Sequence, residues 1–284
     1  GFVIAGHLLG KEAAGLFNVA SVYSAIVLIN YAWLIGNVSL SGFAAKQGDN
    51  DALRHGFLRV YELLVATTLP IHVLGVVLAP LLFTVFMPDR YQPALTCFQL
   101  LLAFAAVRSL AAHVAPFYNA IDKAHINLYY FLISTPLCIA IMYAACRHRF
   151  ESGGVQAGLD ALGWATVLSQ GLSTLGVLAV AKYVVGWSDA GLLRRALPYA
   201  TATVLAAGVT YGAAFTAMSI STGLPVRVYG FVVLVIATSA GMAVYTTTLY
   251  VAARPKLAVL VRDAVPGKLR DRVIYRWLPQ LRDA

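Results

Sequence analysis

The sequence predicts an all-α fold: a polytopic membrane helix bundle with about seven transmembrane helices. Three observations carry that expectation. Of 284 residues, 60% are hydrophobic and only 12% charged, with a mean hydropathy of +0.76, whereas soluble domains carry about 25% charged residues. The apolar residues gather into runs of 20 or more, the length needed to cross a hydrocarbon layer of about 30 Å. The cations behind the net charge of +9 fall mainly between and after those runs. Membrane topology accounts for that placement better than a nucleic-acid surface does, so no nucleic-acid partner is predicted and the lipid bilayer is.

The elements follow in order. Residues 1–9, "GFVIAGHLL", read as the end of a preceding transmembrane helix, stopped at Gly10-Lys11. Seven spans are then predicted at 16–40, 57–87, 94–120, 126–146, 161–185, 196–219 and 228–253. The second is longer than a bilayer requires and contains Pro70 and Pro80, so a tilted, kinked helix is expected. The connections, such as "PDRYQ", "DKAH" and "RHRFESGGVQAG", are too short to hold a domain or a large catalytic loop. Residues 10–253 are expected to form one transmembrane unit. Residues 254–284 mix cations with Leu, Val, Ile and Trp and read as an amphipathic helix on the membrane face, or as a disordered basic tail.

Orientation follows from the cations. Lys46, Arg54, Arg59, Lys123, Lys182, Arg194 and Arg195 share a side with the basic tail, against Lys11, Arg90, Arg147, Arg149 and Arg227 on the other. The C-terminus is therefore predicted to be cytoplasmic. The N-terminal edge then faces outward without a signal peptide, which reads as the C-terminal part of a longer protein. Cys97, Cys138 and Cys146 lie in apolar runs without a CxxC or a Cys/His pair. Buried small residues are predicted there, with no disulfide or metal. No HExxH, GxSxG or GxxxxGK[ST] occurs, so neither an enzyme nor a cofactor is expected.

Arg108 stands out. It lies inside the 94–120 run, roughly 15–20 Å from either end at 1.5 Å per residue, beyond the reach of snorkelling. At 100° per residue it shares a face with Ala105, Ala112 and Asn119, with Ser109 and Pro116 beside them. Such a face points into a bundle or a wet cavity. Two readings stay open: an anion-binding cation, or an ion pair with a carboxylate. His72 and His113 also lie inside spans; interhelical hydrogen bonding or proton relay would account for either. Glu62, next to Tyr61, is a candidate for a rim ion pair with Arg59 or Lys123.

The motifs "LLGKEAAGLFNVA" (Leu8–Ala20), "LFTVFMPDRYQPALTCFQLL", "YNAIDKAHIN" and "GLDALGWATVLSQGLSTL" together resemble the bacterial polysaccharide flippases. These are the oligosaccharide-lipid translocases of the multidrug/oligosaccharidyl-lipid/polysaccharide exporter superfamily. The resemblance runs to about Arg254. It implies one lobe of a two-lobed inner-membrane transporter for O-antigen or exopolysaccharide, with an N-terminal lobe as partner. The implied cargo is an oligosaccharide on undecaprenyl pyrophosphate, as in lipopolysaccharide biosynthesis, moved by alternating access on an ion, potential or cargo gradient. Arg108 would then meet the pyrophosphate, with Asn119, Asn30, Trp33, Asn37 and His113 as further substrate contacts. Tyr23, Asn30 and Asn37 recur every seven residues and, with Trp33, form a stripe suited to sugars or to interhelical hydrogen bonds. One departure is local: many relatives carry a proline where this chain reads "GNVSLSG". The rivals are a multidrug/cation antiporter, which needs an intramembrane acid, a membrane glycosyltransferase or polysaccharide polymerase, which needs a long outer loop, and a non-transporting assembly component.

Overall fold

Lipid offers a backbone no hydrogen bonds, so a chain this apolar must satisfy its peptide groups within helices. The computed structural model describes residues 1–186, 189–219 and 225–252, and all regular structure among them is helical. The elements are α1 (Phe2–Leu8), α2 (Lys11–Val27), a π-helical turn (Leu28–Ala32), α3 (Trp33–Ala44), α4 (Asn50–Phe86), a 3-10 turn (Asp89–Ala94), α5 (Leu95–Leu110), α6 (Val114–Ala120), α7 (Ala124–Val185), α8 (Asp189–Met218) and α9 (Val226–Ala252). Six stretches among the described residues are long and apolar enough to cross a membrane. The 62-residue α7 holds two of the predicted spans, so the chain is a multi-pass membrane protein of the expected all-α class. The basic tail at 254–284 lies outside the described residues.

The first correction concerns "RHRFESGGVQAG", predicted as a loop. Helix continues through it on both sides of Gly154, whose φ of 74° and ψ of −162° supply the break. That conformation suits a residue without Cβ. The two arms of α7 run back to back: the Tyr130 hydroxyl donates to the Ser173 carbonyl, and Gln170 approaches the Met142 sulfur at 3.9 Å. A second difference lies in the first complete span. No proline bends it; the π-helical turn at Leu28–Ala32 joins α2 to α3 instead. A π turn inserts one residue into the helical register.

Four apolar clusters hold the bundle, and α4 contributes to each. Ala79 and Phe83 pack with Phe17, Cys97 and Leu162; Tyr61 and Val65 with Tyr199 and Leu249; Phe57 with Phe43, Phe117 and Val177; Leu78 and Leu81 with Val233. All three cysteines are free and buried, as predicted.

The length of α4 is unbroken although Pro70 and Pro80 lie inside it. Each proline removes the donor for the carbonyl four residues earlier. The structure replaces both donors from neighbouring helices. The Tyr245 hydroxyl donates to the Ala66 carbonyl at 2.5 Å, and Gln99 Nε2 donates to the Val76 carbonyl at 3.1 Å. Removing Tyr245 strands a buried carbonyl, at about 1–3 kcal/mol, and removing Gln99 a partly buried one, at the low end of that range. Tyr245→Phe and Gln99→Leu should each lower the Tm of the purified protein by several degrees. The Pro70→Ala background, which returns an N–H to the helix, should erase most of the Tyr245→Phe loss in a double-mutant cycle.

Candidate functional site

The site begins with a proline too. Pro116 cannot donate to the carbonyl of Ala112, and here no side chain from another helix takes over among the described residues. The helix breaks instead: α5 ends at Leu110, residues 111–113 form turns, and α6 starts at Val114. The predicted single span 94–120 is therefore two helices. The break is packed backbone to backbone, because a Cβ on Gly36 of α3 would lie 2.7 Å from the Ala112 carbonyl oxygen.

Arg108 sits in the last turn of α5. The carbonyls at a helix C-terminus carry partial negative charge, so a cation is favoured there. Its guanidinium lies 5.6 Å from the ring centroid of Phe131 on α7, close enough for a cation–π contact. Among the described residues no carboxylate pairs with it. It lines two cavities. One, of about 350 Å³, is walled by Leu28, Ile29, Trp33, Ala112, Ala115 and Asn127; the other, of about 130 Å³, by Ser134, Thr135, Gln170, Ser173 and Thr174; Phe131 borders both.

The sequence-predicted residues separate on this geometry. Trp33 is brought to Arg108, on the wall of the larger cavity. Asn119 is not: the break turns α6 away from the register of α5, and Asn119 is exposed outside both cavities. His113 is not either. It is fully buried, its ring 4.3 Å from that of Phe57 and 6.4 Å from that of Tyr61, with no described partner for either nitrogen. Asn30 donates to the Ile26 carbonyl of its own helix at 2.8 Å, and Asn37 is exposed on α3. The π turn between Tyr23 and Asn37 breaks the seven-residue register that aligned them. Asn127 and Phe131 join the site without having been singled out; the aromatic run "YYF" after Asn127 was the available signal.

Two other residues singled out in the sequence have partners outside the cavities. His72 is buried and its Nδ1 donates to the Thr68 carbonyl at 2.7 Å, within its own helix rather than across helices. Glu62 is buried on α4 and accepts from Arg195 Nη1 and the Tyr199 hydroxyl on α8, both at 3.2 Å. This pair belongs to the α4–α8 packing and not to the Arg108 cavities. No group of three His, Cys, Asp or Glu able to hold a metal occurs among the described residues.

Residues 2–96 match the family model described as polysaccharide biosynthesis protein. The match supports a role in polysaccharide biosynthesis. No curated protein and no solved structure matches the chain.

Two expected outcomes follow from the packing. Gly36→Val should push α3 off the broken helix and reduce folded protein recovered from membranes, read by size-exclusion profile. Arg195→Met removes the guanidinium that reaches the buried Glu62 carboxylate from α8, and should lower the thermal stability. Adding Glu62→Gln should return most of that loss in thermal melts.

Proposed function

We propose that this chain forms part of an exporter that flips a polyprenyl-pyrophosphate-linked oligosaccharide across the cytoplasmic membrane by alternating access. One observation carries the reading: a guanidinium at a break inside a membrane helix, lining two cavities, with no carboxylate on it among the described residues. A guanidinium keeps its proton and matches a phosphate with two parallel hydrogen bonds. An intramembrane charge of this kind is a functional residue by default, and the match of residues 2–96 to a polysaccharide biosynthesis family supports a saccharide cargo.

In this reading the C-terminus is cytoplasmic, no covalent chemistry occurs, and no cofactor is required. A second lobe closes the cavities from the exposed side of α2 and α3, where Tyr23, Asn30, Trp33 and Asn37 lie open. The antiporter reading is less favoured, because the buried carboxylate Glu62 is already held by Arg195 and Tyr199. Arg108→Ala should reduce surface polymer export at least tenfold with membrane abundance nearly unchanged, and Arg108→Lys should restore only part of it. Normal export by Arg108→Ala, or its disappearance from the membrane, would overturn the reading; immunoblot and polymer quantification decide.

A further inference from the structure

Three helix junctions meet at the end of the bundle that carries Lys123, and they leave a separate cavity of about 420 Å³ between them. The α3–α4 turn contributes Gln47, the α6–α7 turn Asp122 and Lys123, and the end of α7 Tyr183 and Val184; Arg108 lines no part of it. Packing fixes the frame. Gln47 Nε2 donates to the Ala120 carbonyl at the end of α6, and the Phe117 ring in the wall stands edge-on to Phe43 and Phe57. Asp122 has a φ of 60°, a left-handed position that Asp tolerates better than most residues. The turn it makes sets a carboxylate residue and an ammonium residue side by side on one cavity wall. Neither has an ion pair with a described residue.

We infer that this cavity holds the headgroup of a zwitterionic aminophospholipid, with the phosphate on the Lys123 ammonium and the primary ammonium on the Asp122 carboxylate. The depth fits a lipid. Tyr183 is 88% exposed in the last turn of α7, where membrane proteins place aromatic side chains at headgroup level. Leu53, Val184 and Val185 set apolar wall beside the charges, so the glycerol and the first methylenes have a surface of their own. The volume lies in the size range of ligand sites. The charges select a zwitterion over an anion. Around the cavity Lys46, Arg54, Lys123 and Lys182 stand against Asp49, Asp51 and Asp122, so both signs are present nearly in balance, whereas an anion is drawn to a cleft of one sign. The carboxylate selects a primary amine over choline. An ammonium with N–H groups can donate to Asp122, while a quaternary ammonium is taken by a cage of aromatic faces, and the described walls offer one exposed ring, Tyr183.

The test uses the full-length protein in detergent, short-chain phospholipids as probes, and native mass spectrometry as the readout. Wild type should bind dioctanoyl phosphatidylethanolamine at least about threefold more tightly than the phosphatidylglycerol or phosphatidylcholine of the same chain length, the scale of one partly exposed ion pair. Asp122→Asn keeps a side chain that tolerates the left-handed turn, and should erase the preference for phosphatidylethanolamine over phosphatidylglycerol. Asp122→Glu, which keeps the charge, should retain it. Lys123→Gln should weaken both lipids, whereas Lys46→Gln, outside the cavity wall, should leave their ranking as it is. Equal binding of phosphatidylethanolamine and phosphatidylglycerol by wild type, a measurement that needs no variant, would overturn the zwitterionic site. So would a preference that survives Asp122→Asn. If soluble O-phosphoethanolamine competes as well as the lipid does, the lipid is overturned as the occupant.

Discussion

Every peptide group inside a bilayer must find its partner within the protein, and this bundle is organised around the few places where the helices themselves cannot provide one. Prolines create those places. At Pro70 and Pro80 the freed carbonyls of Ala66 and Val76 are met by Tyr245 and Gln99, and α4 continues as one helix of 37 residues. At Pro116 no side chain among the described residues meets the freed carbonyl, the backbone of Gly36 packs on it, and the helix stops and restarts. The same residue type therefore accompanies a through-going strut in one helix and a break in another. At Pro70 and Pro80 a neighbouring helix supplies a polar group to the freed carbonyl; at Pro116 none among the described residues does.

The break also explains how a positive charge comes to lie in the membrane. A cation in the middle of a continuous helix faces satisfied carbonyls and apolar neighbours. A cation in the last turn faces the free carbonyl end, and Arg108 adds an aromatic ring and two cavities to that. Glu62 solves the opposite problem by the opposite means, with a cation and a hydroxyl brought by α8. One charge is closed by its neighbours within the described residues; the other is left facing open space. That contrast sets Arg108 apart from the structural ion pair.

Much of this was legible in the sequence. Hydropathy alone located the spans, because twenty apolar residues in a row have no other stable use. The same logic singles out Arg108, and the structure sets Trp33 on the wall of the cavity that Arg108 lines. The misplaced faces share one cause: a constant 100° per residue does not continue across irregular turns. Asn119 was placed beside Arg108 across the break at 111–113, and Asn37 beside Tyr23 across the π turn at 28–32. Pro116 hints at the first irregularity, since a proline in the interior of a helix cannot donate to the carbonyl four residues back. Nothing local marked the π turn. His113 looked polar and mid-membrane, yet tertiary packing put its ring against Phe57. The helical reach of Phe150 and Glu151 toward Gly154 was hidden because charged residues near a glycine pair resemble a loop.

The central position of α4 has a mechanical consequence. Since all four apolar clusters use a wall of this helix, no cluster can shift against another without flexing it. The two prolines where it would flex are pinned from outside by Tyr245 and Gln99. The described helices are thus built to tilt as a single block, like a keel, and any rocking that exposes Arg108 to one side and then the other must pivot at the surface of the block rather than inside it.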